Sequence, residues 1–116
     1  MKKFLFMLLV GLTAIGANAQ DKKNKNAKYS VEVDGNCESC KKRIEKAALS
    51  VSGVKSAVWD VDSHQLNLIL NEEKTSVDQV EKAIAKVGHD TKNVKAEKTD
   101  YDNLHSCCKY DRKDSK

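Results

Sequence analysis

Apolar and polar residues alternate along three stretches of the chain, and this period of two predicts strands with one buried face. The alternating apolar residues are Tyr29, Val31 and Val33 in the first stretch, Ala57, Trp59 and Val61 in the second, and Leu66, Leu68 and Leu70 in the third. Turn-forming residues at 62–64 separate the last two stretches, so these are expected to form a hairpin.

Two further stretches repeat apolar residues at helical spacing. These residues are Ile44, Ala47, Ala48 and Val51 in the first helix, and Val77, Val80, Ile84 and Val87 in the second. The first helix is predicted from about Ser39, with Gly53 closing it. The second is predicted to begin at Thr75 or Ser76, which are good N-caps, and to stop at Gly88, where a left-handed cap needs no β-carbon.

A short apolar run around Val94 and Ala96 predicts a last strand. The resulting order of strand, helix, strand, strand, helix, strand is that of an α+β, ferredoxin-like βαββαβ sandwich. Its helices cover one sheet face, and its other face is expected to be polar. Residues 99–116 lack a clear periodicity and are predicted to form an appended C-terminal tail that contains cysteines.

The N-terminal residues have the pattern of a cleaved secretory signal peptide. Lys2 and Lys3 precede the apolar run 4–15, and Ala17-Asn18-Ala19 matches the small-x-small cleavage site. The run is too short to span a membrane. We therefore predict a signal peptide over 1–19, a polar flexible leader over 20–27, a periplasmic or secreted mature protein, and no membrane insertion once the signal is removed.

Charge and composition narrow the chemistry of the mature chain. Removal of Lys2 and Lys3 from the 21 basic residues leaves 19 against 17 acidic ones, so no field strong enough for nucleic acid remains. Both methionines leave with the signal, so a soft-metal site must use cysteine or histidine. The four cysteines form two pairs, Cys37 with Cys40 and Cys107 with Cys108.

Cys37 and Cys40 lie at the junction between the predicted first strand and the predicted first helix. The unpaired N–H groups and the positive dipole end at a helix N-terminus favour thiolates. Two thiolates at this spacing select thiophilic ions such as Cu(I) or zinc. The same CxxC motif occurs in thiol–disulfide oxidoreductases and in half of a zinc site. The basic run 41–43 is either an ordinary solvated helix face or an offset for the anionic metal complex.

These residues together carry a family resemblance. The sequence reads VDGNCESC over 33–40, followed by Ile44, Ala47, Gly53, Val54, Ala57, Trp59, Val61, Gly88 and His89. This combination resembles the heavy-metal-associated domain, a family that includes copper chaperones, periplasmic mercury-binding proteins and N-terminal domains of metal-transporting P-type ATPases. The resemblance implies a domain over 28–98 that holds one soft metal ion between Cys37 and Cys40 and passes it on by ligand exchange.

The chain departs from the family pattern at two loops. The family's cysteine loop usually has a methionine after its glycine, whereas here the loop is one residue shorter and has none. The position after Gly88 is commonly tyrosine or phenylalanine and is here His89. A histidine in this loop contacts the metal in some bacterial copper chaperones, so the resemblance makes His89 a candidate third ligand; the alternative is a surface histidine.

Cys107 and Cys108 lie outside the family core, and neighbouring cysteines are poorly placed to form a disulfide with each other. Three interpretations stay open. The tail folds back and adds thiolates to the Cys37 and Cys40 site, or it forms its own soft-metal site with His105, or it forms disulfides within or between chains. The ligand type favours metal, which makes Cys107 and Cys108 candidate ligands.

We therefore predict an extracytoplasmic carrier of a thiophilic ion, with Cu(I) expected first and Hg(II) or Zn(II) as alternatives. A metal-transporting P-type ATPase or another metal-accepting protein is the expected partner. The sequence contains no nucleophile elbow and no HExxH motif, so we do not expect an enzyme. A thiol–disulfide oxidoreductase is the main rival, although the chain has no proline for the cis-proline loop of thioredoxin-like proteins. A secreted domain with inert, disulfide-bonded cysteines is a further alternative.

Overall fold

Residues 23–112, which a computed structural model describes, form a three-stranded sheet with two helices packed on one face. The strands are β1 (Ala27–Glu32), β2 (Val54–Trp59) and β3 (Gln65–Leu70), and the helices are α1 (Glu38–Leu49) and α2 (Val77–Lys86). The predicted signal peptide, 1–19, lies outside the described residues. Among the described residues, no helix has the length and apolar character needed to cross a membrane.

The central strand is β3, which pairs antiparallel with both β1 and β2. Leu66 is paired with Val31 on one side and with Trp59 on the other. Leu66, Leu68 and Leu70 are almost fully buried, as the alternation predicted. This confirms the α+β, ferredoxin-like fold and the predicted hairpin.

Both predicted helices are present, and their ends follow from local chemistry. Ser76 caps α2 by accepting a hydrogen bond from the Gln79 N–H through its side chain. Gly88 follows the last turn with a φ of +103°, a conformation that side chains disfavour. Ile44 in α1 and Ile84 in α2 are fully buried between the helices and the sheet.

The first strand differs from its prediction in two details. It begins at Ala27, inside the segment predicted as leader, because Ala27 is buried and pairs with Leu70. Tyr29 was expected on the buried face, but it is 39% exposed. Its hydroxyl donates a hydrogen bond to the Glu72 carboxylate, so the ring stays at the sheet border with its polar end in solvent.

The predicted last strand around Val94 and Ala96 is wrong. A single antiparallel bridge, between Val33 and Thr91, stands in its place. The backbone of this segment is engaged locally, because Thr91 hydrogen-bonds to Val94 through both its N–H and its hydroxyl. The Ala96 N–H donates to the buried Asp90 carboxylate, so these groups do not form a ladder with β1.

The C-terminal segment folds onto the domain rather than extending from it. It forms a short helix, α3 (Lys98–Asp102), and a 3-10 turn (Ser106–Cys108). Leu104, Cys108 and Tyr110 are buried and belong to the same hydrophobic cluster as the sheet and helices. We call the described residues 99–112 the C-terminal arm.

Candidate metal centre

The CxxC motif lies at the start of α1. Cys37 is the N-cap residue, with extended backbone angles and no side-chain capping bond, and its carbonyl accepts from the Lys41 N–H at 3.0 Å. Cys37 is partly exposed, whereas Cys40 is buried. Their Sγ atoms are 3.6 Å apart, so both sulfurs face the same small volume.

Gly35 and Trp59 support the loop that precedes Cys37. A β-carbon on Gly35 would lie 3.0 Å from the Trp59 ring and 3.1 Å from the Cys40 Cβ, so only glycine fits without displacement. The Trp59 indole N–H donates to the Val33 carbonyl at 3.0 Å, which fixes the ring beneath the loop. Asn36 also helps to orient the motif, because its side-chain oxygen accepts from the Cys40 thiol at 3.2 Å.

The C-terminal arm brings a third sulfur to this volume. The Cys108 Sγ is 3.7 Å from the Cys37 Sγ, and the Sγ atoms of Cys37, Cys40 and Cys108 all lie within 4.8 Å of one another. Cys107 is exposed and lies beside the cluster, with its Sγ 4.0 Å from that of Cys108. Its carbonyl accepts a hydrogen bond from the Cys37 thiol at 3.4 Å.

Two of the clustered thiols, those of Cys37 and Cys108, differ in acidity. Desolvation opposes ionisation of Cys37, but hydrogen bonds from the Cys40 backbone and from the Cys40 and Cys108 thiols outweigh it and lower the pKa of Cys37 to about 7. Desolvation raises the pKa of Cys108 to about 12, and its contacts with Cys40 and Cys37 add to that rise. The partly exposed Cys37 thiol therefore ionises at a lower pH than the buried Cys108 thiol.

His89 is fully buried beneath the loop and lies outside the three-sulfur cluster. Its Nδ1 hydrogen-bonds to the Asp34 carbonyl at 2.9 Å, so Nδ1 carries the proton and Nε2 is left without a partner among the described residues. Desolvation lowers the pKa of His89, which keeps the ring neutral. The surface alternative for His89 is wrong, because the residue is fully buried. A role as third ligand would require its ring to reach the sulfur cluster, outside which it lies.

Lys41 and Lys42 directly follow the motif, and His105 precedes the second pair of cysteines. Lys41 donates to the Glu45 carboxylate at 2.5 Å and to the Trp59 carbonyl at 3.0 Å, which ties it to the end of β2. Lys42 is exposed on the helix surface. His105 is exposed and does not join the cluster, so the described residues do not assemble a separate site with it.

The heavy-metal-associated domain profile matches residues 30–90, more than half of the chain. The chain belongs to the heavy-metal-associated domain family. It is 35% identical over 63 residues to the copper chaperone CopZ of Staphylococcus haemolyticus, an alignment that covers 53% of this chain and 93% of that protein. The matched region is a metal-binding domain of the heavy-metal-associated type.

Two solved structures are similar to this chain in fold as well as in sequence. One is the N-terminal domain of a potential copper-translocating P-type ATPase from Bacillus subtilis in its Cu(I)-loaded state, with 25% identity, a TM-score of 0.54 and coverage of 57% of this chain and 84% of that one. The other is oxidised MerP from Ralstonia metallidurans, with 26% identity, a TM-score of 0.50 and coverage of 56% and 94%.

The C-terminal arm contains residues that support the centre and that the sequence reasoning gave no role. Tyr110 accepts from the Asp90 N–H and donates to the Gly88 carbonyl, both at 2.8 Å, and its ring stacks on His89. Arg112 forms an ion pair with Asp90 at 2.7 Å. The only sequence signal was the presence of tyrosines and a leucine in an otherwise polar tail. This part of the chain lies beyond the matched heavy-metal-associated domain.

Proposed function

We propose that this protein is an extracytoplasmic carrier that holds Cu(I) at the CxxC motif and passes it to a metal-accepting protein, such as a P-type ATPase, by thiolate exchange. The carrying observation is the pair of Cys37 and Cys40 sulfurs, 3.6 Å apart at the start of α1, with one of them open to solvent. Thiolates prefer soft ions, and a nearby thiolate on a partner can bind before the first bond breaks. The likeness to a copper chaperone and to a Cu(I)-loaded ATPase domain supports the choice of copper.

A carrier of Hg(II) is the second candidate, and the likeness to MerP favours it. Hg(II), Cu(I) and Zn(II) share the preference for thiolates, so the ligands alone do not select among them. In either case the proposed role is binding and transfer of an ion, which the clustered sulfurs of the centre support.

The test is a competition titration of the reduced mature protein with Cu(I), Hg(II) and Zn(II), each against a chelator of known affinity. The matched control is the Cys37→Ser/Cys40→Ser double variant. We expect one ion of Cu(I) per chain with the tightest binding, and loss of tight binding in the control. Tighter competition by Hg(II) would assign the protein to mercury instead.

An insulin-reduction assay with the same preparation separates the carrier from the oxidoreductase. We expect no turnover above that of the double variant. Reductase turnover without metal affinity would overturn the proposal.

Export is measured by fractionating cells that express the full chain and sequencing the N-terminus of the mature protein. The signal pattern predicts a first residue of Gln20 in the extracytoplasmic fraction.

A further inference from the structure

The C-terminal arm holds Cys108 over the CxxC motif through contacts that do not involve the sulfurs. Tyr110, two residues away, is fixed by its hydroxyl between the Gly88 carbonyl and the Asp90 N–H. Tyr101 donates to the Tyr110 carbonyl at 2.5 Å, and the two rings meet edge to face. The backbone on the C-terminal side of Cys108 is therefore positioned before any ion arrives.

Arg112, near the end of the C-terminal arm, also holds the arm on the domain. Arg112 makes two hydrogen bonds to the Asp90 carboxylate, at 2.9 and 2.7 Å, and one to the Ala96 carbonyl at 2.6 Å. On the N-terminal side of Cys108, the Leu104 side chain packs closely against Gly88. A β-carbon added to Gly88 would lie 3.0 Å from the Leu104 side chain. Gly88 thus ends α2 and also leaves room for the arm.

The sulfur separations suit a three-coordinate ion. Taking the zinc–thiolate bond of about 2.3 Å as a guide, sulfurs lie about 4.0 Å apart around a trigonal ion and about 4.6 Å apart across a linear one. The pairs Cys37–Cys40 and Cys37–Cys108 are 3.6 and 3.7 Å apart, and Cys40–Cys108 lies within 4.8 Å. Small side-chain rotations would place all three sulfurs around one ion.

We propose that Cys108 is the third thiolate ligand, so that the protein binds its soft metal ion in a trigonal set of Cys37, Cys40 and Cys108 with the C-terminal arm closed over the site. This inference rests on the proposed carrier function. Cys40 and Cys108 are buried whereas Cys37 is partly exposed, so an incoming thiolate reaches the ion on the Cys37 side. Cys107 is exposed beside the cluster and is not a ligand in this arrangement.

The test compares the mature wild type with Cys108→Ala and with the neighbouring control Cys107→Ala, each loaded with one equivalent of Cu(I). X-ray absorption counts the sulfur ligands, and size-exclusion chromatography establishes that the loaded species is monomeric, so that all counted sulfurs come from one chain. We expect three sulfurs in the wild type and in Cys107→Ala, but two in Cys108→Ala. Competition with a Cu(I) chelator is expected to show at least about tenfold weaker binding only in Cys108→Ala, since even outer-shell partners contribute that much.

Cys108→Ser is a second variant that guards against loss of packing in the alanine variant, and circular dichroism checks that both are folded. Two sulfurs in the wild type, or unchanged binding in both Cys108 variants, would overturn the third-ligand assignment and leave the two-cysteine carrier intact. An equal loss in Cys107→Ala would overturn the choice of Cys108. Failure of the folded wild type to bind Cu(I) would overturn the proposed copper carrier and this inference with it.

Discussion

At the residue scale, hydrogen bonding lowers the pKa of Cys37 and so makes its thiol reactive near neutral pH. Its neighbours Cys40 and Cys108 donate to the thiolate, and its position at the start of a helix adds backbone N–H groups. In the reduced, metal-free protein we expect the rate of Cys37 alkylation by iodoacetamide to rise with pH around a midpoint of about 7. Cys108→Ala should raise that midpoint because one donor is lost.

The measurement is alkylation rate against pH, with peptide mapping to identify the modified thiol. Cys107→Ala is the control, because the exposed Cys107 sulfur is not among the donors that lower the pKa of Cys37. A Cys37 midpoint near about 8.5, the value of a free cysteine, would contradict the hydrogen-bond assignment.

His89 offers a second prediction at this scale. Its Nδ1–H bond to the Asp34 carbonyl and its stacking on Tyr110 give it a structural role independent of metal. In His89→Ala we expect the free energy of unfolding to fall by about 2 kcal/mol, since a buried carbonyl loses its donor. We expect the number of Cu(I) ligands to stay unchanged, because His89 lies outside the sulfur cluster. A lower ligand count in His89→Ala, but not in the exposed control His105→Ala, would instead make His89 a ligand.

At the scale of elements, the sequence is informative where local chemistry sets the outcome. Ser76 and Gly88 mark the ends of α2 in both sequence and structure, because a cap and a positive φ depend on single residues. The same local logic fails at 94–96, where a run with strand propensity is held in a turn by the Thr91 side chain. Strand propensity does not take into account the competing hydrogen bond from the Thr91 hydroxyl to the Val94 carbonyl.

The CxxC pair could be predicted from spacing, whereas the position of Cys108 could not. Cys108 meets Cys37 across 71 residues of chain, and the C-terminal arm that contains Cys108 has no periodicity to reveal which face it buries. The decisive contacts, such as Tyr110 with Gly88, involve residue types that are equally common on surfaces. The sequence therefore left the folded-back arm as one of three interpretations.

The ion pair between Asp90 and Arg112 holds the C-terminal arm on the domain, and its contribution to the free energy of unfolding depends on pH. The Asp90 side chain is only 2% exposed. Desolvation opposes its ionisation, but Arg112 and the Ala96 N–H lower the pKa of Asp90 below its usual value. A carboxyl whose pKa is lowered by folding stabilises the protein above its unfolded pKa, of about 3.9, and loses that contribution as the pH falls through the folded value.

For Arg112→Ala we expect the free energy of unfolding to fall by about 3 kcal/mol at pH 7, because Asp90 is left buried and unpaired. Urea unfolding from pH 7 to pH 2 should show this difference shrinking below about pH 4, where Asp90 becomes protonated in the unfolded chain. Lys98→Ala, which breaks the exposed pair with Asp102, is the control and should change stability by less than about 0.5 kcal/mol. A difference for Arg112→Ala that persists at pH 2 would assign the loss to packing instead.

At the scale of the whole molecule, a bound ion would join two distant parts of the chain. Cys37 and Cys40 lie at the start of α1, whereas Cys108 ends the 3-10 turn Ser106–Cys108. One ion held by all three sulfurs would therefore tie the C-terminal arm to the domain. A ligand that binds the native state raises the free energy of unfolding by about 1.4 kcal/mol for each tenfold excess over its dissociation constant, less any binding to the unfolded cysteines. The gain should be largest when all three sulfurs participate.

Hydrogen exchange can locate that gain. On loading with Cu(I), we expect the amides of 104–110 to exchange more slowly in the wild type and in Cys107→Ala, because opening of the arm then requires a metal–sulfur bond to break. In Cys108→Ala the arm keeps its Tyr110 and Arg112 fastenings but has no bond to the ion, so those amides should exchange at the apo rate. The amides at the start of α1 should be protected by copper in all three proteins, since Cys37 and Cys40 are retained. Protection confined to α1 in the wild type would mean that the arm lies beside the bound ion without holding it.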